Sequence, residues 1–195
     1  SLLDKKTSEA KMNFDKAHDV SRSKDAEVLK AIARGYLADS KYVVDAINLL
    51  TKSKAIDKAD PEVNMLLGQA YLAQNNGGES VSAFERAAYS DPKNGKPHYM
   101  IAKIFQRSRN HDMVMDNLNK SITADPEYAP TYSELGDTYY IRKEADKAVE
   151  AMEKYLAISE KAAEAKYKYA FFLFMAKKYD KANAIFKEVI NSPNA

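Results

Sequence analysis

Apolar residues fall at three- and four-residue intervals along almost the whole chain, the spacing of one buried helix face. Leu29, Ile32, Ala33 and Tyr36 mark one such face, and Ala46, Leu50 and Ser53 mark the next. The pattern then repeats. Asn64, Leu67, Gly68 and Tyr71, followed by Ser80, Phe84, Ala87 and Pro92, return 34 residues later as His98, Ile101, Ala102 and Phe105, followed by Val114, Leu118, Ser121 and Pro126. The same step gives Tyr132, Leu135, Gly136 and Tyr139 with Ala148, Met152 and Tyr155. One more gives Lys166, Tyr169, Ala170 and Leu173 with Ala182, Phe186 and Val189. From Gly68 back to Ala33 the step is 35, and the extra residue fits in the loop near Ser40–Tyr42. Such a period predicts stacked helix pairs, since one pair cannot bury its own apolar face.

The repeated positions have a physical logic. Two antiparallel helices approach closely only where a side chain is small, and Ala33, Gly68, Ala102, Gly136 and Ala170 supply that gap. Ala87 and Ser121 are expected to meet Gly68 and Ala102 across it. Tyr71 and Phe84 are expected to fill the space between successive units. Asp91-Pro92 and Asp125-Pro126 end second helices, because the residue before proline disfavours helical backbone. Asp60-Pro61 reads as an N-cap and first helical position, and Gly77-Gly78 as a turn between helices. Ala10, Phe14 and Ala17 keep the spacing of Ala46, Leu50 and Ser53, so residues 7–22 read as the second helix of a preceding half unit. The total expected is eleven helices and no sheet.

The 34-residue period with a small residue and then Tyr36, Tyr71, Phe105, Tyr139 or Leu173 three positions on resembles the tetratricopeptide repeat. The resemblance covers about residues 26–194. It implies an all-α, right-handed solenoid of antiparallel pairs. The units run 26–59, 61–94, 95–128, 129–162 and 163–195, in a single array over 1–195. The sequence departs from the family where a large apolar residue is usual, at Asn64, His98 and Lys166, and a closing proline stands only at Pro92 and Pro126. The chain is expected to begin in mid-repeat. No polar capping helix follows the last pair, as expected of a fragment of a longer array or of an end covered by a partner.

Composition narrows the function. Of the 195 residues, 45% are hydrophobic, enough for a core. Thirty Lys and Arg against 28 Asp and Glu leave a net charge of +2, too balanced for a general binder of nucleic acid or of a membrane surface. No apolar run is long enough to span a membrane. With no cysteine, thiol nucleophiles and thiolate metal sites are excluded. The compartment stays open between cytoplasm and an exported location.

Candidate chemistry is sparse. His18, His98 and His111 share no metal-ligand spacing with one another or with carboxylates. His98 reads as a packing residue and His111 as part of a helix start. No phosphate-binding loop or nucleophile elbow exists. Neither a catalytic residue nor a metal or cofactor is expected. The resemblance instead implies a non-catalytic interaction scaffold, whose first helices line a concave groove. Groove residues by repeat register are Lys30, Met65, Tyr99 and Tyr167; Arg34, Gln69, Lys103, Asp137 and Phe171; and Gln106, Tyr140 and Phe174, with Arg107 beside them. Some family members hold a peptide carboxylate with a Lys/Asn/Arg clamp. The matching positions here, Lys30, Arg34, Leu66, Lys96 and Met100, lack its central Asn and closing Arg. What remains is a looser preference for acidic groups on a protein or peptide ligand, through Lys30, Arg34, Lys103 and Arg107. Eight of the nine residues from Tyr167 to Met175 are apolar or aromatic, so that helix is expected to be buried on more than one side. Tyr167, Phe171 and Phe174 are expected to form one aromatic patch for a peptide or a second subunit. The alternative function is a structural subunit that docks or self-associates through its end repeats.

Overall fold

The computed structural model of the chain describes Glu9, Met12, Asn13, Lys16, residues 25–159 and residues 162–191. Among these residues there are ten α-helices and no strand. They are α1 (Ala26–Tyr36), α2 (Val43–Ile56), α3 (Pro61–Ala73), α4 (Gly77–Ser90), α5 (Lys96–Arg107), α6 (His111–Ala124), α7 (Ala129–Ile141), α8 (Ala145–Ile158), α9 (Ala162–Met175) and α10 (Tyr179–Ile190). A short 3-10 turn, Ser40–Tyr42, takes up the extra residue before α2. The helix expected at residues 7–22 lies outside the described residues, apart from four positions.

Helix boundaries follow local chemistry. The Asp25 carboxylate accepts from the backbone N–H groups of Glu27 and Val28 at the start of α1. Asp60 does the same for Glu62 and Val63, with Pro61 at the first helical position of α3. Asn76 and Asn110 cap α4 and α6 through the N–H groups of Glu79 and Met113. These satisfy donors that a helix start leaves unpaired. Gly77-Gly78 is therefore the first turn of α4, and the expected turn lies one step earlier. It is made at Asn75, whose φ is 58°.

That backbone recurs with the repeat. Arg109 (φ 56°), Lys143 (62°) and Lys177 (60°) follow Asn75 at 34-residue steps, and all are left-handed. Each closes a pair by reversing the chain in three residues. A side chain in this region crowds the following carbonyl, at about 1–2 kcal/mol. Lys143→Gly should therefore be neutral or stabilising by about 0.5 kcal/mol, and Lys143→Val destabilising by about 1 kcal/mol. Thermal melts of the two variants that shift in the reverse order would contradict this account.

The chain divides into two compact units, Ser1–Pro92 and Lys93–Ala195. In the first, α1 packs on α2, α2 on α3 and α3 on α4. Leu29, Ile32, Ala33, Leu50, Val63, Leu67 and Ala83 form its core. In the second, successive helices from α5 to α10 pack in the same way. One cluster there joins Ala102, Val114, Leu118, Leu135 and Ala151. Another joins Ala148, Met152, Phe172, Leu173 and Ala182.

The small residues work as expected, but their partners differ. The Phe84 ring lies against Gly68 inside the same helix pair, where a Cβ on Gly68 would come within 2.5 Å of it. The ring of Phe84 thus stands nearest to Gly68 within the pair, in the place expected of Ala87. The Ser80 hydroxyl donates to the Gly68 carbonyl at 2.7 Å. Ser121 also meets Gly95: its hydroxyl bonds the Gly95 carbonyl at 2.8 Å and the Thr131 hydroxyl at 2.7 Å. Phe172, from the following pair, sits on Gly136. Of the apolar run in α9, Ala170, Phe172 and Leu173 are buried, whereas Tyr167, Phe174 and Met175 are exposed.

Candidate binding face

Each unit presents a face carried by its first helices. In the first unit these are α1 and α3. Lys30 is buried there, and its ammonium contacts Glu27 (2.8 Å), Asp60 (2.8 Å) and Glu62 (3.1 Å). Burial alone would lower the lysine. The three carboxylates outweigh that and hold it above the ordinary lysine range. Burial likewise works to raise Asp60 and Glu62, but Lys30, helped by backbone N–H groups at Asp60 and by Arg34 at Glu62, holds both below the usual carboxylate range. Arg34 is exposed and bonds Glu62. Met65 is buried and Gln69 half-buried.

In the second unit the first helices are α5, α7 and α9. Lys103 on α5 donates to the buried Glu134 on α7 at 2.8 Å, and Gln106 donates to the other oxygen of the same carboxylate. Lys168 on α9 reaches back to α7. It donates to Asp137 and to the Ser133 hydroxyl at 3.1 Å. Burial raises the Asp137 carboxyl and Glu134 adds to this, against the pull of Lys168 and Lys103. The four charges cancel. Tyr99 lies edge-on to Tyr128, with ring centroids 5.6 Å apart. Burial pushes the Tyr128 phenol up to about 12 and raises Tyr99 as well, so both serve as neutral hydroxyls at physiological pH. Arg107 is exposed at the end of α5.

The aromatic residues come next. Tyr140 on α7 meets Phe171 on α9 edge-on, with centroids 5.2 Å apart, and stacks on Phe172 at 5.8 Å. Tyr167 leans on Phe186 of α10 at 5.8 Å, and Phe174 on Tyr179 at 5.4 Å. The three residues expected as one patch therefore make three separate contacts. Tyr167 and Phe174 remain 63% and 53% exposed, Tyr140 36%, and Phe171 is half-buried.

The faces also hold Asp60, expected only as a helix cap, and Glu62, Tyr128, Glu134 and Lys168, which repeat register does not single out. A signal was present for the charged ones. Lys30 and Asp60, Lys103 and Glu134, and Asp137 and Lys168 are separated by 30, 31 and 31 residues. That is one repeat less about one helical turn, which brings opposite charges on successive first helices side by side.

Among the described residues no group of three or more His, Asp or Glu is placed to hold a metal ion. No helix there is long and apolar enough to cross a membrane.

Comparison with known proteins agrees with the repeat. A tetratricopeptide repeat family model matches residues 37–104, and a second of the same description matches 129–161. Together they span just over half of the chain. Over 127 residues, 65% of the chain, the sequence is 28% identical to anaphase-promoting complex subunit 6 of Arabidopsis thaliana, and the match covers 23% of that protein. In fold the chain is similar to MamA 41-end from Desulfovibrio magneticus RS-1, with a TM-score of 0.66 and 19% identity over 85% of this chain and 93% of that one. It is also similar to BtubC from P. vanneervenii, with a TM-score of 0.74 and 16% identity over 97% and 90%. At these identities the likeness to both structures speaks for the fold alone.

Proposed function

Because the chain belongs to the tetratricopeptide repeat family, we propose that it is a non-catalytic protein-interaction scaffold that holds a peptide or protein segment against its first-helix face. The observation that carries this reading is the pairing of a self-neutralised polar floor with exposed aromatic residues on the same helices. Glu134 and Lys168 are occupied by their own neighbours. Tyr140, Phe171, Phe174 and Tyr167 supply apolar area that a ligand can cover, and such anchors supply most of an interface's affinity. The exposed Arg107 is left to steer acidic groups, and Lys103 reaches one only by giving up Glu134. Lys30 and Arg34 reach a ligand only by giving up Asp60 and Glu62. Met65 and Gln69 complete the face of the first unit, and Tyr99, Gln106 and Asp137 that of the second.

The test is Phe171→Ala with Phe174→Ala, screened beside the unchanged chain on an array of random peptides. The variant should lose at least about tenfold in affinity for the peptides that bind, with its helical circular dichroism intact. Full retention of binding, or melting of the last helix pair, would refute this use of the residues.

A second reading is a structural subunit that docks through its last pair. Tyr179 and Ile190 on α10 are 55% and 73% exposed, and the relative from Arabidopsis thaliana is by name a subunit of a complex. Light scattering over a concentration series separates self-association from this chain's remaining a monomer.

A further inference from the structure

Helix α7 has two faces. The side with Ser133, Asp137 and Tyr140 belongs to the binding face described above. Tyr132, Leu135 and Tyr139 point the other way, since a helix turns about 100° per residue. With α8 they line a cleft of about 730 Å³, the size of pockets that hold a substantial ligand. Leu135 and Ala151 are buried in its floor.

Its walls are held by contacts of their own. The Tyr132 hydroxyl donates to the Pro126 carbonyl at 2.9 Å. The Lys147 ammonium lies 5.6 Å from the centre of the Tyr139 ring. Walls fixed in advance lose little conformational freedom on binding. Two rim charges differ from the rest. Glu150 and Lys154 stand four residues apart on α8, about 6 Å along its axis. Among the described residues neither makes a hydrogen bond or an ion pair, whereas Lys147 is taken by Glu144 at 2.6 Å.

We propose that this cleft is a second docking groove, which takes a short helix of a partner protein carrying one aromatic side chain on the same face as a basic and an acidic residue four positions apart. The floor argues for a helix. An extended segment would leave its backbone N–H and C=O groups to find partners along the walls, whereas a helix satisfies its own and can lie directly on Leu135 and Ala151. The rim agrees, because charges one helical turn apart match an i,i+4 pair on a neighbouring helix. The aromatic residue follows from how the chain packs its own rings. Phe84 sits on Gly68 and Phe172 on Gly136, and the small Ala151 of the cleft offers a similar seat.

The probes are three fluorescein-labelled peptides of about 16 residues, long enough to form helix. One has a central Phe flanked by Lys and Glu four apart, the second has Lys and Glu exchanged, and the third has Ala for Phe. Each is titrated by anisotropy into the whole chain and into the variant Glu150→Lys with Lys154→Glu, which exchanges two exposed charges. The unchanged chain should prefer one Phe peptide by about fivefold and the variant should prefer the other. The Ala peptide should bind neither. The proposal fails if no peptide binds or if the charge exchange leaves the preference unchanged. It also fails if Phe171→Ala with Phe174→Ala abolishes binding, since the peptide would then occupy the other face.

Discussion

Phe84→Ala should destabilise the first unit by about 3–5 kcal/mol, the cost of emptying an aromatic site in a core. The ring is fully buried and lies on Gly68 with no room for even a methyl group between them. The converse change, Gly68→Leu, adds volume where the ring already stands and should destabilise by about 1–3 kcal/mol. The two effects should not add. With Phe84→Ala in place, the leucine enters the space the ring has left, so the double variant should be more stable than the sum of the singles implies. Urea denaturation of the three variants measures this directly. An unchanged midpoint for Gly68→Leu would show that the ring does not fill that gap, and strict additivity would show that the two sites are independent.

Lys30→Met should lower stability by about 3 kcal/mol, because removing one member of a buried ion pair strands the other. Asp60 is the one stranded, since its side chain is only 11% exposed. Glu62 is more exposed, at 44%, and matters less. Adding Asp60→Asn should recover part of the loss. The pH dependence has a definite sign. Asp60 and Glu62 titrate below their ordinary range in the folded chain. Their stabilisation is therefore present above about pH 4 and is lost as pH falls through the depressed folded values. Lys30 is raised, so its share is complete below about pH 10 and is lost as pH climbs through the folded value. Acid melts should show a steep fall for the unchanged chain and a shallower one for Lys30→Met. Parallel curves would mean the cluster is not what stabilises α1 against α3.

The 34-residue period determined the helix pairs by itself. Small residues at Ala33, Gly68, Ala102, Gly136 and Ala170 recur because close helix approach demands them wherever they fall, and that demand is written in residue type. The caps Asp60 and Asn110 are equally legible, since an unpaired N–H needs a nearby oxygen. The left-handed turns were not. Arg109, Lys143 and Lys177 are basic, a type with no preference for the left-handed region, and only Asn75 favours it, because the closing of each helix pair imposes that backbone on whatever residue stands there. Nor did residue type say that Phe84 would rest on Gly68 while Phe172 reaches back to Gly136, since an aromatic ring packs in either direction and the free space decides. The candidate face of each unit divides the same way. Its residues could be placed by register, but the titration of Lys30 and Asp137 and the ion pair of Lys103 depended on carboxylates and a lysine some thirty residues away. Only the stacking of one helix against the next brought those partners within bonding distance.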